Sequence, residues 1–319
     1  MNLEPRSGTP AGTSGGGSAA HRPGRAAAAG TVLAAALLLS ACGSAEAPTD
    51  PAAATSSVTT APTGTPTASG SASSPAGTIT VPAYYAGRTG MEGGLEVALY
   101  REFHDVPSAG DPVSTALREM LRAPRDPDYF VPWPEGTEVL SVERMQDLVT
   151  VDLSAEAATA PEGAGEDLAQ AALQQVVHTV TAADPSVAGV QLLIDGSRVP
   201  DLWGLGAHAG EALARAQASE VLGPVWVLEP AQGAEVTSPV TLGGEASVFE
   251  ATVGWEVLDA SGAVVADGFT TAAEGAPGRG AWSVQVPLEP GEHTVRAFST
   301  SARDGSVIAV DSKDVTVTG

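Results

Sequence analysis

Chemistry in this chain would have to come from a short inventory. There is one cysteine, Cys42, there are five histidines, and carboxylates far outnumber cations, Asp+Glu 38 against Lys+Arg 15. His21, His104, His178, His208 and His293 stand apart from any His, Cys or carboxylate at metal-ligand spacing, and no His-Glu-x-x-His helix occurs. The sequence therefore predicts no metal site, no cofactor and no catalytic residue. His104 reads as a solvated residue following a strand, and His178 as a helix histidine at the edge of a core. No Gly-x-Ser-x-Gly elbow or phosphate loop appears. Gly204-Leu205-Gly206-Ala207-His208-Ala209-Gly210 has the wrong last spacing for a dinucleotide fingerprint and reads as an interdomain connector. Carboxylate pairs such as Asp126 with Asp128, or Asp152 with Asp195, are expected by chance in so acidic a chain. Asp152 reads as a solvent-facing strand carboxylate and Asp195 as a turn former with Gly196. Tyr129, Phe130 and Trp133 lie between prolines in one loop. They form either a partner-binding platform or a loop pinned onto the helical layer.

Cys42 is the residue with the most specific context. A basic patch, His21-Arg22-Pro23-Gly24-Arg25, precedes sixteen uncharged residues from Ala26 to Ala41, and the run closes on Leu39-Ser40-Ala41-Cys42. This is the layout of a secretory signal, too short for a spanning helix of about 20 apolar residues. Leu-Ser-Ala-Cys resembles the bacterial lipobox. That resemblance implies cleavage before Cys42, a diacylglyceryl thioether on its sulfur, fatty-acid chains such as palmitate, and residence on the extracytoplasmic face of the cell membrane. With Cys42 so used, no cysteine remains for a disulfide, so the domains must be held by core burial alone. The formal net charge is −23, and removal of the signal takes away Arg6, Arg22 and Arg25 against Glu4. Such a surface repels nucleic acid and anionic headgroups, so the bilayer contact is expected through the Cys42 lipid and no nucleic-acid partner is expected.

The elements follow from periodicity. Residues 44–78 are Ala, Thr, Ser, Pro and Gly with almost no large apolar side chain, a tether that cannot offset its ordering entropy. Strands are predicted at Thr80–Tyr85 and Leu95–Glu102. A helix follows over Pro112–Leu121 with Asp111 as N-cap, then strands at Glu138–Arg144 and Leu148–Leu153. A longer helix over Glu166–Thr181 precedes a strand at Val190–Ile194, which runs into the tight turn Asp195-Gly196-Ser197. The order β-β-α-β-β-α-β predicts an α+β domain with two helices on one sheet. A connector at 201–223 includes an Ala/Glu/Arg stretch of helical character. Seven short alternating runs then recur between Val225 and Val317, the sequence form of an all-β immunoglobulin-like sandwich.

Two families share these pieces. Leu95-Glu96-Val97-Ala98-Leu99-Tyr100-Arg101, Ala116-Leu117-Arg118-Glu119-Met120-Leu121, Pro134-Glu135-Gly136-Thr137-Glu138-Val139-Leu140, Val149-Thr150-Val151-Asp152-Leu153 and Val190-Gln191-Leu192-Leu193-Ile194-Asp195-Gly196 resemble, in order and spacing, the GerMN domain of bacterial envelope lipoproteins. Pro239-Val240-Thr241-Leu242-Gly243-Gly244, Phe249-Glu250-Ala251-Thr252-Val253 and Gly278-Arg279-Gly280-Ala281-Trp282 resemble the spore germination immunoglobulin-like domain that often follows it. The expected organisation is a signal at 1–41, a tether at 42–78, a GerMN-like domain at 79–200, the connector at 201–223 and the sandwich at 224–319. The resemblance implies a sporulation or germination role. The expected function is a non-catalytic interaction module for an envelope protein or for a cell-wall polymer such as peptidoglycan. The alternatives are a cell-wall hydrolase acting through paired carboxylates and a solute-binding lipoprotein. Cys42→Ser is expected to abolish fatty-acid labelling while leaving both domains folded. Metabolic labelling with a fatty acid tests this, and retained label would contradict it.

Overall fold

The computed structural model describes residues 77–89, 91 and 95–319; Cys42, the signal at 1–41 and nearly all of the 42–78 tether lie outside them. β1 (Thr78–Arg88) and β2 (Val97–Pro107) pair antiparallel along their full length, from Thr78 opposite Pro107 to Arg88 opposite Val97. α1 (Pro112–Met120) starts as its sequence dictates. Pro112 occupies the first turn and Asp111 accepts the Ser114 N–H at 3.0 Å. Its Val113, Leu117 and Met120 face inward. β3 (Tyr129–Phe130) adds two residues to β1, opposite Ala86 and Gly87.

β4 (Val139–Met145) and β5 (Leu148–Leu153) form a hairpin. α2 (Glu166–Ala183) crosses over to β6 (Gly189–Ile194), which pairs parallel to β5. β7 (Ser197–Arg198) folds back on β6 across Asp195 and Gly196, both at positive φ, as the Asp-Gly turn requires. α2 lies on β1, and Gln175 ties the helix down by donating to the Tyr84 carbonyl at 2.6 Å and the Met120 carbonyl at 3.3 Å.

The architecture departs from one expectation. The strands form two sheets, β2-β1-β3 and β4-β5-β6-β7, rather than one sheet under both helices. The segment between them carries Pro124, Pro127, Pro132 and Pro134, which lack the N–H that a ladder needs, so β3 stops at two residues and cannot bridge the sheets. The connector also departs. A hairpin of β8 (Asp201–Leu202) with β9 (Ala207–His208) is followed by only one short helix, α3 (Ala218–Val221). Leu213 exchanges both backbone hydrogen bonds with Val190, at 2.8 and 2.9 Å, which draws the Ala/Glu/Arg stretch out beside β6 instead of coiling it. No helix among the described residues is long and apolar enough to cross a membrane.

The C-terminal module is a two-sheet sandwich. One sheet has the order β10-β12-β15, from β10 (Val225–Glu229), β12 (Val240–Ala246) and β15 (Gly280–Val286). The other runs β11-β17-β16-β13-β14, from β11 (Ala234–Thr237), β13 (Thr252–Asp259), β14 (Val264–Thr271), β16 (Gly291–Thr300) and β17 (Val307–Thr318). β11 has no counterpart among the seven predicted runs. Val225, Val227, Leu242, Val257, Trp282, Val295 and Val315 fill the space between the sheets. Gly244 is required where β12 passes Trp226, because a Cβ there would lie 1.8 Å from the Trp226 carbonyl oxygen.

His104 is not a solvated residue. It sits within β2, buried, between two carboxylates: Nε2 is 2.6 Å from Glu102 and Nδ1 is 2.7 Å from Glu119 of α1. Both ring nitrogens can donate only in the imidazolium form. Burial opposes that charge, but the hydrogen bonds His104 donates to Glu102 and Glu119 outweigh it and hold the pKa above the usual histidine value. The contribution to stability is therefore full below the unfolded value of about 6.5 and is lost as pH rises through the raised folded pKa. Denaturant unfolding of wild type and His104→Gln across this range checks it. The stability gap between them should shrink as pH rises, and a gap that widens would contradict the assignment.

Candidate functional site

The loop between α1 and β4 carries the residues that sequence reasoning singled out, and the structure brings this loop against β17 of the sandwich. Asp126, at 1% exposure, is the buried end of the arrangement. Its backbone N–H, and that of Arg125, donate to Glu102 at 2.9 and 3.0 Å, so the Glu102–His104–Glu119 cluster fixes the loop's entry. The Asp126 carboxylate contacts Nζ of Lys313, the only lysine in the sequence. Lys313 also lies 3.3 Å from Oδ1 of Asp311 and 2.7 Å from the Tyr129 hydroxyl, and that hydroxyl donates to Asp311 at 2.6 Å. The Val227 N–H closes the cluster on Asp311 Oδ2 at 2.6 Å. Burial pushes the carboxyls of Asp126 and Asp311 above the ordinary range despite the ammonium between them. Burial, reinforced by Asp311 and Asp126, holds the Tyr129 phenol well above its usual value.

The other candidates divide clearly. Tyr129 stacks on Tyr100 with centroids 4.7 Å apart, and Trp133 meets Trp203 edge-on at 5.8 Å; both are buried. Phe130 is half-buried and lines an open groove of about 400 Å³ with Arg88, Tyr100, Asp128, Val310 and Ser312. Asp128 accepts from the Ser312 hydroxyl at 2.9 Å. Asp152 accepts the Gly196 N–H at 3.0 and 3.1 Å and so stabilises the β6–β7 turn that contains Asp195. Asp126 and Asp128 share one turn, with the Asp128 N–H on Asp126 Oδ1 at 2.8 Å. His178 is fully buried rather than at a core edge. Burial and the nearby Arg215 push its pKa down to about 3, so it stays neutral at physiological pH.

A second junction was not foreseen. Alternation along β10 sends Val225 and Val227 into the sandwich and Trp226 the other way, into the core of the α+β domain. There its ring packs edge-on to Tyr84 at 6.0 Å and its N–H donates to the Leu99 carbonyl at 3.2 Å. The Arg279 guanidinium covers the indole, 3.8 Å from the ring centre, and shares Glu245 with Arg101 through contacts of 3.1 and 2.7 Å. The signal for Lys313 was present in the sequence. Val315 and Val317 mark the inward parity of β17, and Asp311 and Lys313 fall on that same parity.

Residues 82–200 match the family described as sporulation and spore germination, and residues 224–306 match the immunoglobulin-like domain of bacterial spore germination. Among solved structures, the chain is similar to the tandem GerMN domains of the sporulation protein GerM from Bacillus subtilis, at 18% identity and TM-score 0.36, over 49% of this chain and 51% of that one. It is also similar to a candidate lipoprotein from Clostridium perfringens, at 19% identity and TM-score 0.30, over 44% of this chain and 89% of that one. The first GerMN domain of GerM gives 18% identity and TM-score 0.31, over 41% and 97%. The chain spans about half the length of the tandem GerMN structure. No curated protein matches it. The two family matches run in sequence through the α+β domain and the sandwich, so the chain carries a sporulation and spore germination domain at 82–200 followed by a spore germination immunoglobulin-like domain at 224–306.

Proposed function

We propose that the protein is a lipoprotein held by Cys42 at the extracytoplasmic face of the cell membrane. In this reading the joined GerMN and immunoglobulin-like modules serve as a non-catalytic docking unit for another envelope protein, in a sporulation- or germination-type role. The observation that carries this is the edge of the larger sandwich sheet. Among the described residues β14 pairs with β13 on one side only, and Val264, Val265 and Phe269 along it are 51%, 50% and 69% exposed. A free strand edge with apolar side chains recruits a partner strand through backbone hydrogen bonds. A protein partner fits this edge better than a wall polymer, whose sugars would leave the apolar side chains unmatched.

The carboxylates that a hydrolase would need support the non-catalytic reading. Asp126 is buried against Lys313, Asp128 is bonded to Ser312, and Asp152 holds the β6–β7 turn. A photocrosslinking residue at Phe269, with Glu135 as a control position, tests the proposal in intact cells. It predicts a crosslink to one envelope protein from Phe269 and none from Glu135. Binding of that protein, once purified, should weaken at least tenfold with Phe269→Asp. Crosslinks only to lipid or polymer, equal yields at both positions, or no effect of Phe269→Asp would overturn it.

A further inference from the structure

The Lys313 cluster holds one cation between two carboxylates, so in its fully ionised form it would bury an uncompensated negative charge, which desolvation makes costly. One proton retained among the carboxyls relieves that charge. The cluster then contains an amine, a carboxylic acid in contact with it, and a second carboxylate 3.3 Å from the amine. The Tyr129 hydroxyl bridges the second carboxylate and the amine at 2.6 and 2.7 Å. Lys313, Asp126 and Asp311 are at most 4% exposed, and the Tyr129 ring lies 4.4 Å under the ammonium. Those are the parts needed to form an amide, held in place with bulk water excluded.

We propose that Lys313 and Asp126 condense to an intramolecular isopeptide bond that joins the GerMN domain covalently to the sandwich. The Asp311 carboxylate takes a proton from the Lys313 ammonium, directly or through the Tyr129 hydroxyl. The freed lone pair of Nζ attacks Cγ of the Asp126 carboxylic acid, and the carbonyl electron pair moves onto Oδ1. The Asp128 N–H, 2.8 Å from Oδ1, stabilises the oxyanion. Asp311 passes its proton to Oδ2, the Cγ–Oδ2 bond breaks and water leaves, and Asp311 then takes a proton from the new C–N nitrogen. One amide and one water form from one amine and one acid. The proton left over resides on Asp311, so the product buries no charge at all, and this favours it over the ionised starting cluster. A cavity of about 50 Å³ lined by Lys313, Glu102 and Arg125 adjoins the site, room for the departing molecule.

Because Lys313 is the only lysine, its ε-amine can be read directly. The full chain, purified from membranes, is unfolded in denaturant, treated with an amine-acylating reagent, digested and analysed by mass spectrometry. The proposal expects Lys313 to be unlabelled and present in a branched peptide with the Asp126 segment, lighter by one water than the sum of the two. Asp126→Ala should restore full labelling whether or not that variant folds. Asp311→Asn should leave Lys313 and Asp126 unjoined in most molecules. Stoichiometric labelling of wild-type Lys313, with no branched peptide, would overturn the proposal. Complete joining in Asp311→Asn would overturn the role of Asp311 as proton carrier.

Discussion

A single buried lysine ties the two modules together. Lys313 comes from the last strand of the sandwich, and its partners come from both sides: Asp311 from its own strand, Asp126 and Tyr129 from the GerMN loop. Removing a charge from water is expensive, and such a cluster survives only where each member has a partner in good geometry. Before the proposed bond forms, relative motion of the modules would leave Lys313 or Asp126 unpaired and buried, which costs more than breaking an exposed ion pair. The cluster therefore acts chiefly as a specificity device, allowing one docking arrangement. Trp226 adds the apolar counterpart, since its ring is a core residue of a domain to which its strand does not belong.

Polar contacts extend the constraint back into the GerMN domain. Glu119 of α1 holds His104, His104 holds Glu102, and Glu102 accepts the two backbone N–H groups that set Asp126 in place. From Asp126 the chain of contacts passes through Lys313 and Asp311 to the Val227 N–H in β10. These groups are buried, and each one orients the next. The overall acidity of the chain plays no part here; what matters is the placement of a few charges on inward parities.

Much of this was legible in the sequence. Period-two alternation located β5 and β17, and the Asp111-Pro112 pair located the start of α1. The division into two sheets was less legible, because it depends on prolines denying hydrogen bonds to a segment whose aromatic content reads as a platform or a pinned loop. His104 was misread for a related reason: β2 runs on to Pro107, and its inward positions there are Glu102 and His104, whose burial follows from mutual pairing rather than from hydropathy. Lys313 is the sole lysine, and its parity with Val315 was a signal that the sequence reading did not use. Its partners lie 187 residues away at Asp126, a separation that no local pattern reports. Trp226 was hidden similarly, since a strand serving two cores alternates like any other.

With the modules fixed to one another, the edge of β14 sits on a rigid body, which would lower the ordering cost of capturing the partner strand proposed above. The claim on which this rests is that the Lys313 cluster makes the two modules unfold as one. Scanning calorimetry of the wild-type chain and of Lys313→Ala tests it most directly. The account predicts one cooperative transition for wild type and two separated transitions for the variant. Two transitions in wild type, or a single unshifted transition in the variant, would contradict it.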